Sequence, residues 1–166
     1  RNDNLSKLDA NANAFNQFSQ LEGTIGFATT FWDKLTLQYT SQAGFTLGEE
    51  DTEVFDFRLG SYNQNFIHNL YPMYGYDVSE LTNQSFLRSE LTLRYCLANK
   101  HYLTGLANFA RVEKNVFLGG ELFKDIKSGY AIGYGLETLI GPIEIKYSWS
   151  PDNKEKYWLF NLGFWF

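Results

Sequence analysis

Apolar and polar residues alternate one by one over seven stretches of this chain, the period of two that an extended strand imposes. The clearest covers about 86–98, where Leu87, Ser89, Leu91, Leu93, Tyr95 and Leu97 alternate with Phe86, Arg88, Glu90, Thr92, Arg94 and Cys96. The others fall at about 18–32, 35–47, 102–112, 130–140, 143–149 and 157–166. In the last of them Trp158, Phe160, Leu162, Phe164 and Phe166 share one face, a pattern suited to a strand whose outer side meets lipid. Three charges on the polar face of 86–98 suit the wet interior of a barrel better than a sandwich core. The alternation predicts an all-β fold, an antiparallel transmembrane β-barrel with about seven or eight strands in this chain.

The connections support the same reading. They run short (33–34), long (48–85), short (99–100), long (113–129), short (141–142) and medium (151–156). Outer-membrane barrels have short turns on the periplasmic side and longer loops outside. That rule makes 48–85 a long extracellular or lumen-folded loop and 113–129 a second extracellular loop. Short strands are expected inside the first, at 54–59 or 74–81. Residues 1–14 are polar and show no period, so the whole of 1–166 reads as one barrel domain or part of one. Seven strands are an odd number, whereas single-chain bacterial barrels have an even one. The chain therefore reads as a part of a larger barrel, with an eighth strand in 1–17 as the alternative.

Composition narrows the classes. Aromatic residues make up 18% of the chain, with no apolar run near the ~20 residues of a spanning helix. A net charge of −5 argues against a nucleic-acid partner. Cys96 is the single cysteine, so neither an internal disulfide nor a Cys-based zinc site is expected. No G-x-S-x-G elbow occurs, His68 and His101 stand apart from any nucleophile motif, and the acidic run 49–53 lacks calcium-loop spacing. Catalytic residues, metal and cofactor are all read as none.

Three blocks carry a family likeness. Gly133-Tyr134-Gly135-Leu136 with Ile140-Gly141-Pro142-Ile143-Glu144-Ile145-Lys146-Tyr147 resembles the penultimate hairpin of the bacterial surface-antigen superfamily. Phe160-Asn161-Leu162-Gly163-Phe164-Trp165-Phe166 is similar to its closing strand. Phe57-Arg58-Leu59-Gly60-Ser61, Asn65-Phe66-Ile67 and Tyr71-Pro72-Met73-Tyr74-Gly75-Tyr76 resemble its loop that folds into the lumen. The assembly factors of that superfamily carry an Arg-Gly-aromatic motif there. Met73-Tyr74-Gly75-Tyr76 lacks the arginine and is closer to the barrel domain of secreted patatin-like phospholipases. The resemblance implies the C-terminal part of a sixteen-stranded barrel in the bacterial outer membrane. It also implies a lipase domain elsewhere in the protein, using a serine–aspartate dyad.

The charges Arg88, Glu90, Arg94, Glu137, Glu144 and Lys146 are expected in the lumen, paired with one another or with loop 48–85, where Arg58 is a candidate partner. Neutralising Arg88 or Arg94 is expected to loosen that loop. Two function classes follow. One is a barrel that anchors or exports an attached domain; the other is a complete small eight-stranded barrel with a structural, adhesive or lipid-modifying role. Expected partners are outer-membrane lipid and lipopolysaccharide, the barrel-assembly machinery through the C-terminal strand, and the missing N-terminal part of the protein.

Overall fold

A computed structural model describes residues 18–48, 55–60, 69–117 and 124–163. Seven long strands lie among them: β1 (Ser19–Phe31), β2 (Leu35–Leu47), β6 (Ser85–Ala98), β7 (His101–Glu113), β8 (Lys127–Thr138), β9 (Gly141–Trp149) and β10 (Lys156–Leu162). They form one antiparallel sheet in the order β1-β2-β6-β7-β8-β9-β10, so each long strand pairs with the next along the chain. The long connection after β2 contributes three short strands, β3 (Phe57–Leu59), β4 (Leu70–Tyr71) and β5 (Leu81–Asn83). These make a second sheet in the order β4-β3-β5, with β3 parallel to β4 and antiparallel to β5.

The predicted stretches and the long strands coincide, apart from shifts at their ends. The third short turn lies at 139–140, not 141–142, because Gly141 and Pro142 already pair with Thr138 and Glu137. The Thr138 hydroxyl closes that hairpin, donating to the Gly141 carbonyl at 2.6 Å and accepting from Ile140 N at 3.3 Å. Proline is tolerated at the first positions of a strand. Within the long connection a strand forms inside 54–59, but 74–81 turns instead of extending. Gly75 and Ser79 hold φ of 80° and 58°, which no strand accommodates.

Register sorts the side chains into two faces. One row across the sheet reads Phe31, Leu35, Tyr95, Leu103, Tyr134, Ile145 and Phe160. This outer face leaves Ile25, Leu91, Leu93, Ile132, Trp158, Phe160 and Leu162 exposed. A neighbouring row on the other face reads Ala28, Gln38, Thr92, Leu106, Ala131, Ser148 and Tyr157. The segment 55–83 packs on this inner face. Phe57, Leu59, Tyr71, Met73 and Tyr76 from the segment bury against Phe86 and Ala110 of the wall. Tyr74 buries against Leu106 and Ala131. The apolar core thus lies between the insert and the wall, while the larger apolar surface of the sheet faces outward.

Candidate functional site

The candidate site is the clasp between the insert and the inner wall. Arg88, placed inward on β6 by strand alternation, is 3% exposed. Its Nε donates to the Pro72 carbonyl at 2.6 Å, and Nη1 donates to Gln42 Oε1 at 2.7 Å. Nη2 pairs with Glu90, two residues along the same face. Three nitrogens of one guanidinium thus address three acceptors, a geometry a planar fork permits and a lysine does not. Asn108, fully buried on β7, donates to the same Pro72 carbonyl at 3.5 Å and accepts from Tyr74 N at 3.4 Å. Opposite Asn108 in register is Gly129. A Cβ there would run into the Tyr74 carbonyl oxygen, so glycine lets the insert's backbone touch β8.

Both flanks of the insert are tied as well. On the β1 side Gln20 donates to the Phe55 carbonyl at 2.7 Å and accepts from Asn69 at 3.3 Å. The Tyr71 hydroxyl lies near the Glu22 carboxyl of β1. On the far side Tyr76 donates from its hydroxyl to Asp152 at 3.1 Å and accepts from Ser150 at 3.0 Å. Asp152 also accepts from Ser128 N at 2.9 Å. Asn153 donates to the Gly75 carbonyl at 3.4 Å and to Glu80 at 2.9 Å. The insert therefore spans from the first strand of the sheet to the turn between its last two. The Ser128 amide and the Tyr76 hydroxyl hold the Asp152 carboxyl below its usual range, against a smaller opposing effect of burial. Burial pushes the Tyr76 phenol up to about 12, with the nearby Asp152 and Glu80 charges adding to the rise.

The remaining predicted charges lie inward, and among the described residues none of them hydrogen-bonds the insert. Arg94 pairs with Glu137 at 3.2 Å and stacks over the Tyr102 ring, 3.8 Å from its centroid. Glu144 pairs with Lys146 at 3.0 Å. Arg94, Glu137 and Glu144 line a cleft of about 290 Å³ with Thr138, Gly141 and Pro142, at the short-turn end. Pairing of these charges with one another thus describes all six, and among the described residues a hydrogen bond to the insert is made by Arg88 alone. Arg94 makes no contact with the described part of the insert, being six residues along β6 from Arg88, about 20 Å in an extended strand. Arg58 is no partner to any of them among the described residues. Its place is the centre of the small sheet, paired by backbone to Leu70 and Thr82.

Of the C-terminal residues, Trp158, Phe160 and Leu162 project outward and are exposed. Phe164 and Phe166 lie outside the described residues, as do His68 and the acidic run 49–53. His101 Nδ1 hydrogen-bonds the Tyr134 hydroxyl. Sequence reasoning missed Gln42, Asn108, Tyr76, Ser150 and Asp152. Asn108 left a signal: it is an amide between Leu106 and Ala110 on a face that turns inward. Asp152 left none, since its sequence reads as an ordinary turn.

An antiparallel sheet with an apolar exposed face, a charged inner face and a loop folded onto that inner face is the wall of an outer-membrane type β-barrel. The family profile of the OMP85 superfamily matches residues 4–166, and the chain belongs to that superfamily. Its members are outer-membrane proteins. No curated protein matches the chain.

Proposed function

We propose that this chain is the C-terminal membrane-spanning wall of a larger OMP85 barrel that anchors or exports an attached domain in the bacterial outer membrane. The observation that carries this reading is the segregation of faces. Seven strands present lipid-compatible side chains outward, while the charges Arg88, Glu90, Arg94, Glu137, Glu144 and Lys146 turn inward and pair. A lipid-immersed backbone must have its hydrogen bonds satisfied, so barrels close and leave no edge. Here β1 and β10 each have one neighbour among the described strands. Two open edges favour a wall completed by further strands of the same protein over a complete small barrel.

The insert supports the narrower choice within the superfamily. Its tip, Pro72-Met73-Tyr74-Gly75-Tyr76, is held by Arg88 and Asn108 donating to the Pro72 carbonyl, by Asn108 accepting from Tyr74 N, and by the Tyr76 hydroxyl donating to Asp152. This arrangement needs no arginine in the loop, which accords with the barrel domain of patatin-like phospholipases. Its partners are then outer-membrane lipid, lipopolysaccharide, the barrel-assembly machinery and the attached domain.

Cysteine scanning tests the face assignment in the full protein, with Cys96 replaced by serine. Cysteines at Leu91, Ile145 and Phe160 should react poorly with a water-soluble maleimide and be quenched from lipid. Cysteines at Gln38 and Thr104 should react readily. Equal labelling of both sets sinks the barrel reading.

A further inference from the structure

Charge is almost absent from the outward positions of the seven long strands, where only Arg111, Glu113 and Lys156 carry it. Arg111 and Glu113 pair with each other at 2.8 Å. Lys156 has no ion-pair partner among the described residues and is exposed. It stands at the long-loop end of β10, opposite Trp149 in register. Below it lies a run of outward aromatic rings. Tyr130 stacks on Trp149 at 6.0 Å, Trp149 meets Tyr147 at 5.8 Å, and Tyr147 meets Trp158 at 4.9 Å between centroids. Such rings sit where acyl chains give way to headgroups. Of the nearby acids, Glu80 is tied to the insert by Asp77 N and to Asn153, and Glu155 precedes Lys156 in the turn. Lys154, also exposed, adds a second cation in the turn.

We propose that Lys156, with Lys154, binds the phosphate of a lipid headgroup whose acyl chains lie on Tyr147, Trp149 and Trp158. The inference deepens the membrane-wall reading and rests on it. Among the described residues the Lys156 ammonium, at the upper rim of an aromatic girdle, has no protein anion paired with it, and the outward Glu113 is taken by Arg111, so the complementary charge comes from the lipid. An ammonium on a flexible stem reaches outward from the ring plane while its methylenes stay against apolar surface. The long loops mark this rim as the extracellular one, which makes the outer-leaflet phosphorylated glycolipid the occupant.

The test uses the full protein in phosphatidylcholine nanodiscs containing a minor fraction of lipopolysaccharide, with retained lipopolysaccharide counted by native mass spectrometry. K156Q should retain severalfold less than wild type and K154Q/K156Q about tenfold less or lower, as expected from the attraction of each lysine to an anionic surface. K156R should restore retention, and K100Q, at the opposite end of the strands, should leave it unchanged. Equal retention in all variants overturns the site, as does an equal loss in K100Q. Displacement by inorganic phosphate alone overturns the lipid as its occupant. Heat-modified gel migration checks folding, and if the double variant fails to fold the exposed single change K156Q decides. Quenching of tryptophan fluorescence by brominated phosphatidylcholine reports lipid contact without the lysines. Absent quenching sinks the membrane reading itself, whereas quenching with unchanged retention sinks only the site.

Discussion

Arg88 and Arg94 sit on the same face of the same strand, and each is paired with a glutamate, yet they do different things. Arg88 and Glu90 are 3% and 19% exposed, whereas Arg94 and Glu137 are 43% and 48% exposed. The insert covers the first pair and leaves the second open to the cleft at the short-turn end. An exposed pair contributes about 0–1 kcal/mol, since water screens it and two long side chains lose freedom. A covered guanidinium is different in kind. Its desolvation must be offset by hydrogen bonds at every nitrogen, and removing it strands its acceptors. What separates the two arginines is the segment lying over one of them.

The sharpest break of this comparison is Arg88→Ala. It removes the charged donor from Glu90, Gln42 and the Pro72 carbonyl, leaving only the long contacts of Thr92 to Glu90 and of Asn108 to Pro72, for an expected loss of about 3–5 kcal/mol. Hydrogen exchange across 69–83 and protease cleavage within 48–85 should both rise strongly in the detergent-folded protein. Unchanged exchange would show that the clasp does not hold the insert. Gly129→Ala acts on the same contact from the other side, pushing the Tyr74 carbonyl off β8 at about 1–3 kcal/mol. Gly105→Ala is the control, because nothing lies within 4 Å of a Cβ there. Its effect should stay within about 0.5 kcal/mol.

The wall was legible in the sequence because one physical rule governs it. Side chains alternate across a strand, lipid accepts only apolar ones, and charges collect on the other face. That rule placed all seven long strands, and the six charges it assigns to the lumen lie by register on the face opposite the exposed apolar one. It erred only where the rule is weak, at the 139–140 turn and inside the insert. The clasp was harder to read. Arg88 could be foreseen as a buried charge in need of partners, but not that its partner would be the backbone of Pro72. A carbonyl has no signature in sequence. Arg94 looked equivalent to Arg88, because nothing in the strand pattern records where a distant segment comes to rest. Tyr76 and Asp152 meet across 76 positions of sequence, one from a segment read as folding into the lumen and the other from an ordinary turn that gave no sign of receiving it.

The outer anchor of the insert should yield to smaller changes. Tyr76→Phe removes the hydroxyl shared by Ser150 and Asp152, at about 1 kcal/mol. Hydrogen exchange at 74–80 should rise while that at 57–59 holds. The same anchor sets a pH window. Asp152 has its pKa depressed in the folded protein, so its contribution is present above the ordinary carboxyl value of 3.8 and is lost as pH falls through the depressed one. Tyr76 binds its proton more tightly when folded, so its contribution is present below the ordinary phenol value of 10.0 and fades towards about 12. Exchange at 74–80 should therefore be slowest between those limits. A Tyr76→Phe protein that keeps the alkaline rise would remove Tyr76 as its source.

The smallest effect is expected at Arg94. Arg94→Ala removes a solvent-exposed ion pair with Glu137 and a guanidinium stacked on Tyr102, together worth under about 1 kcal/mol in water. Because Arg94 does not reach the described part of the insert, protease cleavage within 48–85 should match that of the wild-type protein, unlike Arg88→Ala. Combining the two changes should give additive losses, since side chains so far apart with no common partner do not couple. A loosened insert in the Arg94 variant would mean that the cleft at the short-turn end and the clasp share one mechanical unit. The wall would then transmit strain along β6, and the distinction between the two arginines would lie in distance from the insert, with burial following from it.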